Sequence, residues 1–163
     1  MNIADIQDVG EEVLRLRDGY HNPPKGERAV DVLLFGYLSG RFSNVRRQHG
    51  VYLYGSNTPK RIDFRLGGTN PVVLELAVRP ANGGSHLSGP NNQTELNKLC
   101  RVKEAKLRAL LLIDLADQNW LRDKLKATYD ALHAGPGNFE RKAVQVIYVH
   151  RHNRFNFKWS PFK

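Results

Sequence analysis

Residues 61–66 and 71–79 constrain the fold of this chain more than any other part of its sequence. Both segments alternate between apolar and polar side chains, which is the period of a strand with one buried face. The Gly-Gly-Thr-Asn sequence between them, residues 67–70, has the composition of a turn, so a β-hairpin is predicted. If both apolar faces meet one core, Asp63 lies opposite an odd-numbered residue, and counting about the turn makes Glu75 its partner.

The predicted hairpin places two carboxylates on one face, close enough to share a divalent metal ion, which takes oxygen ligands. Such a site suits the hydrolysis of phosphodiesters. Alternatively, Asp63 and Glu75 are solvated charges that pair across the strands with arginines on an exposed face. We favour the site, because a central hairpin in an α/β fold rarely leaves one face bare. The arginines on this face are Arg61, Arg65 and Arg79.

The charge of the chain indicates a polyanionic partner. Lys and Arg number 25 against 16 Asp and Glu, which gives a formal net charge of +9. An excess of this size is typical of proteins that neutralise phosphates, although simple solubility explains it as well. The length of 163 residues and the 40% hydrophobic content indicate a single globular domain, 1–163.

The sequence also excludes some chemistry and indicates a location. With Cys100 as its single cysteine, the chain can form neither an internal disulfide nor a cysteine-based zinc site. No stretch approaches the roughly 18 apolar residues of a membrane span, and the first residues lack the layout of a signal peptide. We therefore expect a cytoplasmic protein without a membrane partner.

Hydrophobic periodicity predicts the order of the secondary-structure elements. Residues 81–92, rich in Gly, Ser and Asn, form a loop directly after the strand that carries Glu75, and loops in such positions are often functional. The order α-α-β-β-β-α-β-α-β indicates an α/β fold with a mixed β-sheet flanked by helices. Helices are expected at 3–18, 27–38, 93–107 and 118–133, and strands at 44–54, 61–66, 71–79, 109–115 and 143–149.

This layout, with one acidic residue on the second strand and another on the third, resembles the PD-(D/E)XK nuclease superfamily, whose fold is restriction endonuclease-like. The resemblance covers residues 27–149, the core of a nuclease-like domain. It implies that Asp63 and Glu75 are the two acidic residues of the motif, with Glu27 and the carbonyl of Leu76 as further metal ligands. It also implies Mg²⁺ or Mn²⁺ as the cofactor and hydrolysis of DNA, favoured over RNA, as the reaction.

The chain departs from the family's pattern two residues after Glu75, where the family has lysine and this chain has Ala77. The family's lysine orients or deprotonates the attacking water. Arg79 lies on the same face, but arginine stays protonated, so it is a candidate for phosphate binding. Lys98, on the following helix, is the candidate for a displaced catalytic lysine. Lys98 is also explained as a solvated helix lysine, and Glu27 as a first-turn acid that the helix dipole stabilises.

Basic residues around the first strands and in the tail are the candidates for nucleic-acid binding. The tail, residues 150–163, interleaves cations with aromatics, as surfaces that clamp a nucleic-acid backbone do. The alternative, which we favour, is an edge strand whose aromatics pack on the core while its cations face water. The predicted nucleic-acid-binding residues are Arg46, Arg47, Lys60, Arg61, Arg65, Arg79, Gln93, Arg151 and Arg154.

Three functions compete on the sequence alone. The first is a metal-dependent nuclease acting on DNA, for which a homodimer is natural if both strands of a duplex are cut. The second is a nuclease-like fold that has lost catalysis at Ala77 and serves as a nucleic-acid-binding or complex-assembly subunit. The third is a small α/β protein whose basic surface docks onto an acidic protein partner.

Overall fold

In its described residues, 1–23, 25–133 and 135–161 of the computed structural model, the chain is an α/β fold with helices on both faces of a six-stranded mixed β-sheet. No helix in this part of the chain is long and apolar enough to cross a membrane. The helices are α1 (Ile3–Asp18), α2 (Glu27–Arg41), α3 (Gln93–Leu99) and α4 (Arg122–Asp130), with a 3₁₀ turn at Pro90–Asn92. The strands are β1 (Val45–Val51), β2 (Lys60–Leu66), β3 (Val72–Arg79), β4 (Leu107–Asp114), β5 (Val144–His150) and β6 (Asn153–Trp159).

The strands lie in the sheet in chain order, from β1 to β6. β1, β2 and β3 form an antiparallel meander, β4 and β5 follow in parallel to β3, and β6 returns antiparallel to β5. The parallel part needs crossover connections, which here contain α3 and α4. The predicted class, an α/β fold with a mixed sheet flanked by helices, is therefore confirmed, and so is the hairpin of β2 and β3.

One face of the sheet carries a first core, which α1 and α2 cover. The apolar residues of α1 recur at helical spacing, and a capping box between Asn2 and Asp5 fixes where this helix begins. The first core contains, from the helices, Ile6, Val9, Val13, Val30, Leu34 and Leu38, and, from the strands, Phe64, Leu74, Leu76, Leu111 and Ile147.

The opposite face carries a second core, which α3, α4 and the loop before α3 cover. The hydroxyl of Tyr129 on α4 donates to the carbonyl oxygen of Leu87 in that loop, at 2.8 Å. Gly89 allows the close approach, since a Cβ at this position would lie 2.2 Å from the carbonyl oxygen of Thr128. The loop after β3 is thereby fixed against α4. The second core includes Val73, Ala77, Leu96, Leu99, Leu110, Leu112, Leu125, Val146 and Phe157.

The strands β2 and β3 are buried differently from the simple alternation that the sequence predicts. All eight residues of Val72–Arg79 are buried, because one core covers each face of β3. Glu75 is therefore not a solvated surface charge. The expectation that one core receives the whole apolar face of β2 is wrong, because Ile62 packs in the second core and Phe64 in the first. The strand changes core where it separates from β3.

Two helices are shorter than their periodicity suggests. α3 ends at Leu99 rather than at residue 107, because Arg108 holds the following turn through the carbonyl oxygens of Val102 and Ala105. α4 spans 122–130 rather than 118–133. The segment before it is extended, and the backbone N–H of Trp120 donates to the hydroxyl of Tyr148 instead of to a helical carbonyl.

The basic and aromatic tail is part of the sheet. Its residues 153–159 form β6, in which Phe155, Phe157 and Trp159 are buried while Arg154 and Lys158 are exposed, so the edge-strand interpretation is confirmed. Residues 162–163 of the predicted tail lie outside the described residues. Because α1 and β6 both contribute to the cores, the predicted core boundaries of 27–149 are too narrow.

Candidate functional site

A cavity of about 470 Å³ lies beside the point where β2 separates from β3. The ladder between these strands stops at the pair Phe64–Leu74. The walls come from the start of α2, from β2 and β3, from the loop after β3 and from α3. The cavity is lined by Glu27, Asp63, Glu75, Leu76, Ala77, Val78, Ser85, His86, Asn91, Asn92, Glu95 and Lys98.

Asp63 occupies the end of the β2–β3 ladder. In the register of the hairpin the next pair after Phe64–Leu74 is Asp63 and Glu75, as the alternation predicts. The carboxylate of Asp63 instead accepts hydrogen bonds from the backbone N–H of Leu76 (2.9 Å) and from the side-chain amide of Gln48 (3.0 Å). It is therefore held between two strands, with its negative charge at the wall of the cavity.

Glu75 is the most deeply buried carboxylate of the cavity, with 2% of its surface exposed. Burial, and after it the negative charge of Asp63, raises the pKa of Glu75 to about 9, although Lys98 acts in the opposite direction. The Oε1 atom accepts no hydrogen bond of suitable angle, and the Nζ atom of Lys98 lies 2.5 Å from it as an ion pair. Lys98 therefore does not offset the combined effect of burial and of the charge of Asp63 on the pKa of Glu75.

Lys98 reaches the cavity from α3 and Ala77 reaches it from β3. The side chain of Lys98 is 22% exposed, so its ammonium group contacts both Glu75 and the solvent in the cavity. Ala77 leaves the space that a longer side chain on β3 would fill. Lys98, the candidate for a displaced catalytic lysine, thus lies next to Glu75, and its catalytic role stays a prediction.

Glu27 stands at the mouth of the cavity, at the first position of α2. Taken as a whole, the residue is exposed to solvent. Nevertheless, partial burial of its carboxylate, followed by the charge of Asp63, raises its pKa, while a hydrogen bond from the backbone N–H of Val78 acts in the opposite direction. The carboxylate of Glu27 therefore interacts with the interior of the cavity, which its position in the first turn does not by itself explain.

Several polar residues of the site were not among the predicted site residues, and three of them, Gln48, His86 and Glu95, act on its carboxylates. Glu95 and His86 lie close enough to Glu27 for their charges to affect its pKa. The spacing of Glu95 and Lys98 puts both on one face of α3, and this was the signal available in the sequence. Gln48 gave no such signal, because its position depends on a bend in β1 where its φ is +52°.

The acidic side chains do not form a complete chelate. Among the residues that the structure describes, no group of three His, Cys, Asp or Glu side chains is arranged to hold a metal ion. Asp63 and Glu75 are neighbours, and the backbone of Leu76 lines the same cavity. These groups supply oxygen donors, the kind that Mg²⁺ takes, and Mg²⁺ usually keeps several of its waters.

Arg79 does not line the cavity, contrary to its predicted role in phosphate binding. Its guanidinium donates to both carboxylate oxygens of Asp114, at 2.7 and 2.8 Å, and lies over the ring of Trp120. The alternation correctly puts Arg79 on the face of Glu75. At the end of β3, however, Arg79 lies in register with Asp114 of β4, and the two side chains pair there.

The other predicted nucleic-acid-binding residues are distributed over the surface. Arg46, Lys60 and Arg61 are exposed on the β1–β2 hairpin and stay candidates. Several others contact the protein itself: Arg47 pairs with Asp31, Arg65 donates to the carbonyls of Gly67 and Gly68, Gln93 to that of His133, Arg151 approaches Asp117, and Arg154 pairs with Asp8 and Glu11.

Comparison with known proteins finds nothing similar to this chain. No protein-family model matches it, and no match is found among curated proteins or among solved structures. Its function is therefore inferred from the geometry and the charges of the cavity.

The raised pKa of Glu75 predicts how stability depends on pH. Between the ordinary pKa of a glutamate and about 9, the unfolded chain loses the proton that the folded protein keeps, so stability falls as the pH rises through this window. We expect Glu75→Gln to raise the melting temperature in metal-free buffer, and more at pH 8 than at pH 5. Thermal unfolding in EDTA measures this, with Glu104→Gln, an exposed residue, as the control. An equal difference at both pH values would contradict the assignment.

Proposed function

We propose that this protein is a metal-dependent nuclease of the PD-(D/E)XK type, with a restriction endonuclease-like fold, that hydrolyses phosphodiester bonds in DNA. The observation that carries the proposal is the meeting of Asp63, Glu75 and Lys98, from three separate elements, in one cavity. The superfamily combines two acidic residues with a lysine. Here the ammonium group of Lys98 lies 2.5 Å from Glu75, but the lysine is on α3 instead of β3.

The charges of the cavity fit a divalent cation. The pKa of Glu75 is raised because its carboxylate is buried beside another carboxylate, and bound positive charge would relieve this. Asp63, Glu75 and the carbonyl of Leu76 would hold Mg²⁺ or Mn²⁺, with Glu27 at the mouth as a further ligand. When bound, the ion would supply Lewis acidity toward the scissile phosphate and lower the pKa of a water molecule.

The side chains of this chain have separate tasks in the proposed reaction. Lys98 keeps its ammonium group in the cavity, where it orients the attacking water and stabilises the negative charge that develops on the phosphate. Asp63 is fixed by Leu76 and Gln48, so its carboxylate cannot swing out of the site when substrate enters. Arg46, Lys60 and Arg61, on the neighbouring hairpin, would contact backbone phosphates on either side.

A second candidate function is a nucleic-acid-binding or complex-assembly subunit that does not cleave. It is favoured by one observation, the absence of a three-residue chelating group from the described residues. The two functions differ in what they expect from Asp63 and Glu75. A nuclease needs both carboxylates, whereas a binding module keeps its affinity when they are replaced.

A cleavage assay tests the proposed function. We expect supercoiled DNA to be nicked in Mg²⁺ or Mn²⁺ and to stay intact in EDTA, and we expect Asp63→Asn and Glu75→Gln to lower the rate by at least about 1000-fold. Both variants preserve shape, so folding is retained. Glu104→Gln, which removes an exposed carboxylate, is the matched control and should cleave normally.

The melting temperature gives an independent readout of the ion. Mg²⁺ should raise the melting temperature of the natural protein and not that of Glu75→Gln, because a ligand stabilises the state that binds it. DNA binding without cleavage in all proteins, together with a melting temperature that Mg²⁺ leaves unchanged, would favour the binding subunit and exclude the nuclease.

A further inference from the structure

A cluster of two arginines and one aromatic ring lies just beyond the end of α3 and outside the candidate site. The guanidinium carbon of Arg101 lies 4.0 Å from the ring centroid of Phe139, and that of Arg141 lies 4.3 Å from the same centroid. Both distances are those of close cation–π contacts. We call Arg101, Phe139 and Arg141 the arginine clamp.

Two glycines make room for the ring of the clamp. A Cβ on Gly55 would lie 2.6 Å from the ring of Phe139, and a Cβ on Gly137 would lie 2.3 Å from it. Both glycines also have a positive φ, of +73° and +107°, which other residues rarely adopt. The ring of Phe139 is therefore packed between three separate segments of the chain, which contain Gly55, Arg101 and residues 137–141.

The guanidinium groups of the clamp are oriented by backbone carbonyls and not by acids. Nε of Arg101 donates to the carbonyl oxygen of Tyr54 at 2.9 Å. One terminal nitrogen of Arg141 donates to the carbonyls of Gly135 and Gly137. Among the described residues, no carboxylate forms a salt bridge with either guanidinium, and the nearest acid in sequence, Glu140, pairs with Lys142. Each arginine thus keeps N–H groups that no acid in the described part of the chain engages.

The positive charge in this region is concentrated further by Arg108. Burial raises the pKa of the Cys100 thiol to about 11, and the charges of Arg141, Arg101 and Arg108 all act on it in the opposite direction. Three guanidinium groups therefore surround one buried point. Like charges in one region repel each other, and an anion bound beside them would offset that repulsion.

A cavity of about 170 Å³ opens at the clamp, between Arg101, Arg141 and Asn97 on α3. Asn97 is the immediate neighbour of Lys98, which lines the candidate catalytic cavity. Adjacent residues of α3 therefore line the two cavities. A polynucleotide held in the catalytic cavity would therefore have this second cavity beside it.

We propose that Arg101 and Arg141, held on Phe139, bind a backbone phosphate of the nucleic acid at a second position outside the catalytic cavity. A phosphate suits the clamp, because guanidinium groups offer pairs of parallel N–H donors to its oxygens. The faces of Phe139 are taken by cations and glycines, so base stacking has no part in the contact. The choice of nucleic acid as the ligand rests on the proposed function, whereas the anion site itself does not.

Binding of a short fluorescein-labelled DNA duplex, measured by anisotropy in EDTA, tests this inference without cleavage. We expect Arg101→Gln and Arg141→Gln each to weaken binding about tenfold, and each to lower the slope of log Kd against log salt by about 1. Arg15→Gln, an exposed arginine on α1, is the matched control and should change neither quantity. If a Gln variant does not fold, Arg101→Lys and Arg141→Lys replace it, and should keep the salt slope but lose affinity.

Unchanged affinity and salt slope in both Gln variants would overturn the inference. So would equal displacement of the labelled duplex by polyglutamate and by unlabelled duplex at the same concentration of charge, since the clamp would then bind an acidic peptide as well as a nucleic acid. Weakened DNA binding in the Gln variants, when the natural protein does not cleave, would support the clamp and reject the nuclease. Normal cleavage with unaltered binding would do the reverse.

Discussion

Lys98→Ala is expected to lower the rate of metal-dependent DNA cleavage by about 100- to 10,000-fold, while the affinity for DNA changes little. The ammonium group of Lys98 lies 2.5 Å from Glu75, and Ala77 cannot replace it. Among the described residues that line the cavity, Lys98 is the one lysine or arginine. Single-turnover cleavage with saturating enzyme separates this loss in chemistry from a loss in binding.

The lysine can be moved from α3 to β3 by two substitutions. Ala77 lines the same cavity, so Ala77→Lys in the Lys98→Ala background places an ammonium group on β3, and we expect it to recover part of the lost rate. Lys124→Ala, which removes an exposed lysine from α4, is the control and should cleave normally. A Lys98→Ala variant with full activity would show that the lysine at Glu75 serves only to neutralise it.

The largest effect on stability is expected from Asp114→Ala. Asp114 is fully buried, and its carboxylate accepts hydrogen bonds from Arg79, from the backbone N–H of Ala116 and from the hydroxyl of Tyr148. Removing it leaves the guanidinium of Arg79 buried without its counter-charge, which costs about 3–5 kcal/mol. Urea unfolding should show this as a lower midpoint with an unchanged slope.

A double variant separates the cost of leaving Arg79 unpaired from the cost of losing the packing contacts of Asp114. The double variant Arg79→Leu/Asp114→Leu removes both charges, and we expect it to be more stable than Asp114→Ala alone, because no charge is then left unpaired. Asp123→Ala, which breaks an exposed pair with Arg122, is the control and should cost less than about 0.5 kcal/mol. A cost below about 1 kcal/mol for Asp114→Ala would contradict the account.

Local patterns in the sequence were sufficient to predict the hairpin and the register of its carboxylates. The period of 2 in residues 61–66 and 71–79 and the Gly-rich turn between them determine which residues face each other. Asp63 and Glu75 could be found in this way without knowledge of the rest of the fold. Lys98 could be proposed only because Ala77 interrupts a known pattern, and its distance from Glu75 depends on how α3 packs.

Other features depend on contacts between distant residues, which periodicity does not contain. Arg79 looks like a residue of the site because it shares a face with Glu75, but its neighbour on β4 is 35 residues away. The end of α3 is set by Arg108, which captures carbonyls beyond the helix. The arginine clamp joins Gly55, Arg101 and Phe139, whose spacing in the sequence gives no indication that they meet.

The change of core along β2 has a consequence for how the molecule unfolds. Ile62 and Phe64 are two residues apart on one strand, yet they are anchored in opposite layers. β3 joins the same two layers through its alternating faces. Because both strands pack in both layers, we expect the two cores to unfold together as a single cooperative unit. Asp63 lies between Ile62 and Phe64, so the candidate site is attached to a segment that packs in both cores.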